Sequence, residues 1–537
     1  MSTQQVKVAS FSDIQSGEMK EVAVGETKIL LARVGDECFA VGANCPHYGA
    51  PLVEGTLSGT RVVCPWHQSC FDLKTGNFEE PPAFDSLPKY DVTIENGGIF
   101  LQMPEKPTDR RLPAMSKRNP ADERVFVILG GGAAGYMAAQ TLREEGFTGR
   151  VLMVSSDDRL PYDRPNLSKD YLQGHAEPAW MPLRPEEFYD EHDIEFRLGE
   201  AAADVNVEAK ELTLKSGEVL KYDSLLIATG GVPRTLPFSS PDYENVFLLR
   251  SFADTDRIIA AAGDAANVVV IGASFIGMEA ASSLRIRGCQ VTVVSPDRVP
   301  FEKTLGAEIG TLLQTIHEQH SVKFELGSHV KAFDASDTKV NAVVLENGES
   351  IDADVVIVGI GVSPSTEFLS GFELHKDGGV IADAHLQIAP DVYAAGDIAH
   401  FPDSRTGELT RIEHWRTAMQ QGRIAARNMA GRATPFTAVP FFWTTHFGST
   451  LNYVGHAVDW DRLIFQGDVS KQDFLAFYIK DHRILAVAGM NRDRDVAFWG
   501  ELIRLNRVPP PSQLDAVDAN RSKLFASLPA SLVASLL

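Results

Sequence analysis

Cysteine is scarce in this chain: five residues in 537, an odd number. That excludes a disulfide-stapled scaffold and suits a reducing compartment. No run of 18 apolar residues occurs, so no membrane-spanning helix is expected. The stretch MSTQQVKVASFSDIQSGEM has neither a basic segment followed by an apolar one nor the arginines of a mitochondrial presequence. These absences predict a cytoplasmic protein. Basic residues are outnumbered, 50 Lys and Arg against 72 Asp and Glu, for a formal net charge of −22. A surface of that sign repels nucleic acid and anionic lipid outside local patches. It serves solubility, and it also suits attraction of a basic redox partner. What is present in quantity is ordinary globular material, 44% hydrophobic and 23% charged. At ~100–200 residues per domain the length predicts roughly three to five domains.

Residues 1–104 hold short β-rich runs (KEVAV, KILLARV, ECFAVGA, YDVTIENGGIFLQM) broken by Gly, Pro and Asn turns, which predicts a small all-β module. A Pro-rich, charged segment at 105–122 reads as a linker long enough to let that module swing. Beyond it, VFVIL, VLMV, SLLIAT, NVVVIG, QVTVVS and ADVVIVG are nearly continuous apolar runs, the mark of parallel strands buried on both faces. The expected fold is therefore doubly wound α/β, with one domain over 123–243 and 373–440 and a second over 244–372. A weak repeat supports two such domains: VFVILGGGAAGYMAAQTL and NVVVIGASFIGMEAASSL share a strand, a Gly-rich turn and a small-residue helix, 142 residues apart from Gly130 to Gly272. Residues 441–537 return to β-type runs and predict a C-terminal α+β domain.

The strongest local signal is Cys45-Pro46-His47, sixteen further residues, then Cys64-Pro65-Trp66-His67. Zinc bound by two Cys and two His is the first alternative, but zinc fingers pair like with like. Here each loop offers one thiolate and one imidazole, which suits a cluster whose two irons differ in ligands. Over 1–104 the chain resembles the Rieske 2Fe–2S domain. The resemblance implies that Cys45 and Cys64 hold one iron and His47 and His67 the other. Ala50 and Trp66 stand where high-potential relatives place a loop-to-loop disulfide, so the likeness is to the low-potential, ferredoxin-type members. Cys70 reads as packing.

Gly130, Gly132 and Gly135 form a GxGxxG turn between a buried strand and a helix, the arrangement that brings a helix N-terminus to a dinucleotide pyrophosphate. Ser156 stands where an acid is expected to meet the ribose, with Asp157 beside it. With LPYDRPNLSKDYL, LLIATGGVPR and VYAAGDIAH, residues 124–440 resemble FAD- and NAD(P)H-dependent reductases, above all the ferredoxin reductases of oxygenase systems and the apoptosis-inducing-factor group. That likeness implies FAD contacts at Arg164, Lys169, Thr229, Gly230 and Asp397. It also implies a nicotinamide dinucleotide on the turn from Gly272 to Gly277, with Gly361 beside it. Ser295, followed by Asp297 and Arg298, leaves NADH and NADPH both open, with a lean to NADH. In relatives Lys169 and Glu279 would form an ion pair beside the flavin, and the aromatic residues Trp415 and Trp443 would stand near the ring or between it and an iron–sulfur partner. The familiar FWSDQ pattern reads WTTH here, ending in His446.

A further absence narrows the activity. No CxxC pair accompanies the flavin motifs, and Cys289 is the only cysteine after residue 123, so a disulfide reductase is excluded. The cysteine set of a sirohaem nitrite reductase is missing too. The expectation is an oxidoreductase passing electrons from NAD(P)H through FAD to the fused cluster and on to an external acceptor: an oxygenase, a ferredoxin or another redox protein. Two rivals are an NAD(P)H oxidase or peroxidase that uses oxygen, and a redox-gated signalling protein of the apoptosis-inducing-factor kind.

Overall fold

The computed structural model describes residues 3–238 and 243–514. The far end of the expected C-terminal domain, 515–537, lies outside the described residues. The chain divides into two units: one takes in residues up to Ala114, Ala438–Trp443 and the chain from Asn452, and the other Met115–Thr437 and Thr444–Leu451. The β-module and the C-terminal domain, expected as separate bodies, thus fall in one unit, and both nucleotide domains fall in the other.

In the first unit, a six-stranded sheet runs in the order Thr3–Ser10, Gly98–Pro104, Lys89–Glu95, Glu37–Gly42, Thr27–Val34, Met19–Val24. Alternating side chains fill its core, among them Ile29, Leu31, Ala40, Tyr90, Ile99 and Leu101. A second, four-stranded antiparallel sheet, Thr56–Ser58, Arg61–Val63, Cys70–Asp72, Phe78–Glu80, carries the second Cys–His loop, while the first follows strand Glu37–Gly42 of the six-stranded sheet. The unit's C-terminal part includes the antiparallel strands Arg483–Met490, Asp473–Lys480 and Arg462–Asp468. Helix Asp493–Arg504 covers it, with Trp499 fully buried against Phe477 at 5.0 Å between rings.

This helix also meets the cluster-bearing sheet. Val63, Cys70 and Ala497 form one buried apolar group. Arg61 is paired with Glu79 (2.7 Å), Glu80 (3.2 Å) and Glu501 (3.3 Å), and Thr56 Oγ1 donates to the Arg494 carbonyl at 3.0 Å. A swinging module needs an exposed face here; the structure instead buries charge in it.

The second unit holds two parallel sheets. One is ordered Ile194–Leu198, Arg150–Ser155, Val125–Leu129, Ser224–Ile227, Val392–Ala394, with Gln387–Ala389 antiparallel at its edge. The other is ordered Val246–Leu248, Val355–Val358, Asn267–Ile271, Gln290–Ser295, Lys323–Leu326. In each sheet the strand before the Gly-rich turn lies between two parallel neighbours, where strand order reverses and such folds take their ligands.

The expected linker has no helix or regular strand, yet most of it is tied down. Arg111 and Ser86 exchange backbone hydrogen bonds of 2.9 and 2.8 Å in the first unit. In the second unit Ser116 N–H donates to the Arg143 carbonyl at 2.9 Å and its hydroxyl to the Phe147 carbonyl at 2.8 Å. The stretch between these ties is 112–115, far shorter than composition suggests.

Candidate functional site

The two Cys–His loops follow one design. In each, the cysteine N–H donates to the carbonyl five residues on, Cys45 to Ala50 and Cys64 to Ser69, both at 2.8 Å. Each cysteine carbonyl accepts from the residue four on, Gly49 at 2.9 Å and Gln68 at 3.2 Å, and both of those residues are left-handed, at φ 80° and 57°. The turn presents the cysteine and the following histidine to the same side. His47 Nδ1 and His67 Nδ1 converge to 3.2 Å. One metal ion at about 2.0–2.1 Å from each nitrogen spans such a gap.

The electrostatics favour ligation at His47 and Cys45. Burial pulls the His47 imidazole down to about 3, so it is neutral with a lone pair to give. Burial, then the neighbouring Cys45 side chain, raise the Cys64 thiol strongly. At Cys45 the neighbouring Cys64 thiol, the His47 N–H and the Ser69 hydroxyl outweigh burial and lower it. Two sulfurs that share hydrogen bonds, beside two converging imidazole nitrogens, fit an iron–sulfur cluster with unequal ends. Cys70 is not part of this set: its thiol donates to the Gln68 carbonyl at 3.3 Å and packs with Val63 and Ala497, as expected.

Aromatic rings frame the histidines. Tyr48 stacks on His47 at 4.1 Å, and Trp443 stands 4.3 Å from His67. The Trp443 ring, expected beside the flavin, lies against His67, with the Phe441 ring 6.2 Å away.

In the second unit, the first Gly-rich turn leaves no room for side chains where strand and helix meet. A Cβ on Gly135 would stand 1.9 Å from the Gly130 carbonyl oxygen, whereas one on Gly132 meets nothing within 4 Å. That open middle position is what lets backbone approach an anion at the N-terminus of helix Ala133–Glu144. The second turn repeats the packing, with a Cβ on Gly277 2.1 Å from the Gly272 oxygen. Ser274 takes its middle position ahead of helix Phe275–Ile286. Gly361, at φ 96°, follows strand Val355–Val358, and its carbonyl accepts from the Arg234 N–H at 2.9 Å.

The expected FAD residues gather at the end of the first parallel sheet. Arg164 donates to the Arg250 carbonyl, and Arg250 pairs with Asp397 at 2.8 Å. Burial and the nearby Arg250 cation lower Arg164, the Asp157 and Asp397 carboxylates offset part of this, and the two neighbouring guanidinium groups suit an anionic pyrophosphate. A Cβ on Gly230 would lie 3.0 Å from Arg250 and 3.9 Å from Asp397, and Thr229 donates to the Ser365 carbonyl at 2.7 Å. Asp157 accepts from the Tyr162 hydroxyl at 2.6 Å, and Ser156 beside it is exposed. These groups fit a dinucleotide such as FAD.

Lys169 and Glu279 come together at 2.7 Å from sequence positions 110 apart. Trp415 begins helix Trp415–Met429, half-buried. Near the second turn Ser295 is buried, Asp297 pairs with Lys303 and Arg298 with Glu302, each at 2.7 Å. Sequence reasoning missed Arg250, Ser168 and Thr444. The one available sign for Arg250 is its place before Ser251, which opens helix Phe252–Ala261 with a capping box to Asp254. Ser168 and Thr444 carry no comparable sign.

Comparison with known proteins identifies the domains and their family. Residues 124–422 match the pyridine nucleotide-disulphide oxidoreductase family, 4–91 the Rieske [2Fe-2S] domain and 441–523 the reductase C-terminal domain. The chain is 38% identical to apoptosis-inducing factor 3 of Homo sapiens over 93% of its own length and 84% of that protein's. It is 33% identical to rhodocoxin reductase of Rhodococcus erythropolis over 69% of this chain and 87% of the relative. Among solved structures, the covalent putidaredoxin reductase–putidaredoxin complex superposes with a TM-score of 0.71 at 30% identity, over 75% of this chain and 98% of the other. Among the described residues no helix is long and apolar enough to cross a membrane. The cofactors are a Rieske 2Fe–2S cluster, FAD and NAD(H). The chain belongs to the pyridine nucleotide-disulphide oxidoreductase family, as an FAD-dependent, ferredoxin-reductase-like enzyme with a Rieske domain at its N-terminal side.

Proposed function

We propose that the protein carries electrons from NADH through FAD to its own Rieske cluster and on to an external one-electron carrier. When bound, FAD supplies the exchange between a hydride and single electrons, and the cluster supplies one-electron storage. The protein's part is binding and alignment. The N-terminus of helix Ala133–Glu144, with Arg164 and Arg250, would hold the FAD pyrophosphate. The Gly272–Gly277 turn would hold the nicotinamide dinucleotide. Asp297, two residues after the buried Ser295, leans the reading to NADH, since an acid there suits a free 2′-hydroxyl. The Lys169 ammonium, held by Glu279, would favour negative charge on the reduced ring.

The observation that carries the reading is the contact of His67 with Trp443, 4.3 Å between rings. It joins a ligand of the cluster to the reductase C-terminal domain inside one compact unit. The superposed reductase structure is named for its complex with a separate partner, putidaredoxin. In our reading this chain's own Rieske domain takes that partner's place, and the buried Arg61–Glu501 pairing keeps it there. The acidic surface, with a net charge of −22, would then draw a basic acceptor to the cluster.

The test is anaerobic addition of NADH to the purified protein, followed by visible and EPR spectra. Bleaching of the flavin bands together with a reduced Rieske signal is expected. Flavin bleaching with a silent cluster overturns the internal route. Rapid peroxide formation in air that survives loss of the cluster would favour the oxidase reading instead.

A further inference from the structure

The Lys169–Glu279 pair is not isolated. Glu279 is almost fully buried, and its carboxylate accepts from three donors: Lys169 Nζ at 2.7 Å and Ser168 Oγ at 2.6 Å on Oε2, and Thr444 Oγ1 at 2.7 Å on Oε1. Thr444 Oγ1 also lies 2.9 Å from His446 Nε2. Both Thr444 and His446 are fully buried, two residues apart on the strand Phe441–His446.

The proton arrangement follows from the donor inventory. A threonine hydroxyl has one hydrogen, and an ionised carboxylate can only accept. Thr444 therefore gives its hydrogen to Glu279 and accepts from His446 Nε2–H. That arrangement places the His446 hydrogen on Nε2. Burial above all, then His317 and Lys169, hold the His446 imidazole well below its ordinary range, and the Met278 carbonyl offsets only part of this. The ring is thus a neutral, permanent donor. Its neighbours on other elements are His317, with ring centroids 5.0 Å apart, and Phe301 at 6.0 Å.

We propose that Thr444 and His446 are positioning residues that act through Glu279, holding the carboxylate so that the Lys169 ammonium stays in the place needed at the flavin. This rests on the flavin reading above and adds to it the use of the WTTH segment. A carboxylate with both oxygens occupied cannot rotate away from Lys169 without breaking a buried hydrogen bond, and the hydroxyl is held in turn by the imidazole. Removing the hydroxyl unlocks both ends.

Three variants test this on the FAD-loaded, full-length protein. Thr444→Val keeps the shape and removes the hydroxyl; Thr444→Ser restores it. His446→Phe keeps a ring and removes the donor. The Thr444→Val protein should reduce its flavin with NADH about tenfold more slowly at unchanged KM, with a lowered flavin midpoint potential. Thr444→Ser should recover both values, and His446→Phe should move them the same way by less. Full rate and potential in Thr444→Val, or no recovery in Thr444→Ser, overturns the proposal. Should Thr444→Val not fold, histidine-selective ¹⁵N NMR of the unaltered protein decides: a buried imidazole protonated at Nε2 is expected, and protonation of His446 at Nδ1 rejects the chain. A purified protein without flavin bands would instead defeat the underlying flavin reading, and the NMR result would stand apart from it.

Discussion

The cluster site and the Lys169–Glu279 network are built from opposite kinds of sequence. The four expected cluster donors lie between Cys45 and His67, in two copies of one turn within a single small β-module. The network around Glu279 is gathered across separations of 110 residues to Lys169 and 165 to Thr444. The first is specified by local backbone geometry and needs only its own loops. The second exists only after the two nucleotide domains and the strand Phe441–His446 have folded together. The contrast predicts that each site can be removed with the other left working.

The largest effects come from testing that independence directly. Cys64→Ala removes a buried sulfur that no neighbour replaces, since Cys70 is turned to the Gln68 carbonyl. The Rieske EPR signal should vanish while NADH still bleaches the flavin at the unaltered rate. Gly135→Ala is the reciprocal variant: its Cβ would lie 1.9 Å from a backbone oxygen, which a close-packed turn cannot yield. FAD content should fall to nearly nothing, while dithionite still produces the Rieske signal. Loss of both cofactors in either variant would show that the two sites are not separately specified.

The next effect concerns stability. Arg61 sits among Glu79, Glu80 and Glu501, and Glu501 is also held by Arg504 at 2.7 Å. Arg61→Ala leaves buried carboxylates without their cation and should cost about 3–5 kcal/mol. Arg298→Ala removes a pair whose arginine is 85% exposed and should cost about 0–1 kcal/mol. Denaturant melts of the two variants check this; equal midpoints would deny that buried charge fixes the Rieske domain to the C-terminal helix.

The same contrast explains what could be read from the sequence. Cys45, His47, Cys64 and His67 were legible because ligand type and spacing are properties of one loop pair. The Gly-rich turns were legible because strand, turn and helix are contiguous. Arg250, Ser168 and Thr444 were not, because a hydrogen bond across more than a hundred residues leaves no local pattern. Trp443 shows the intermediate case: its residue type was informative, but type alone does not name a partner, and the ring lies against His67. The segment 105–122 is a related case. Proline and charge describe a chain in solvent, and they do not reveal that Arg111 and Ser116 are each tied to a folded domain.

The smallest effect sharpens the boundary between local and distant specification. Arg250 reaches Asp397 from a sequence distance of 147, yet its own position is set locally. The next residue, Ser251, caps helix Phe252–Ala261: its side chain accepts from Asp254 N–H at 3.1 Å, and the Asp254 carboxylate accepts from Ser251 N–H at 2.8 Å. That carboxylate also takes the Arg250 N–H at 3.2 Å. Ser251→Ala removes one half of the box and should cost about 1 kcal/mol. Because the arginine is carried by this cap, the loss should appear in FAD retention as well as in the melt, a few-fold weaker at most by the same arithmetic. Asp254→Ala, which frees the Arg250 N–H too, should weaken retention further. If Ser251→Ala lowers the melt with FAD affinity untouched, the Arg250–Asp397 pair holds its geometry from the distant side alone, and the cap serves only the helix.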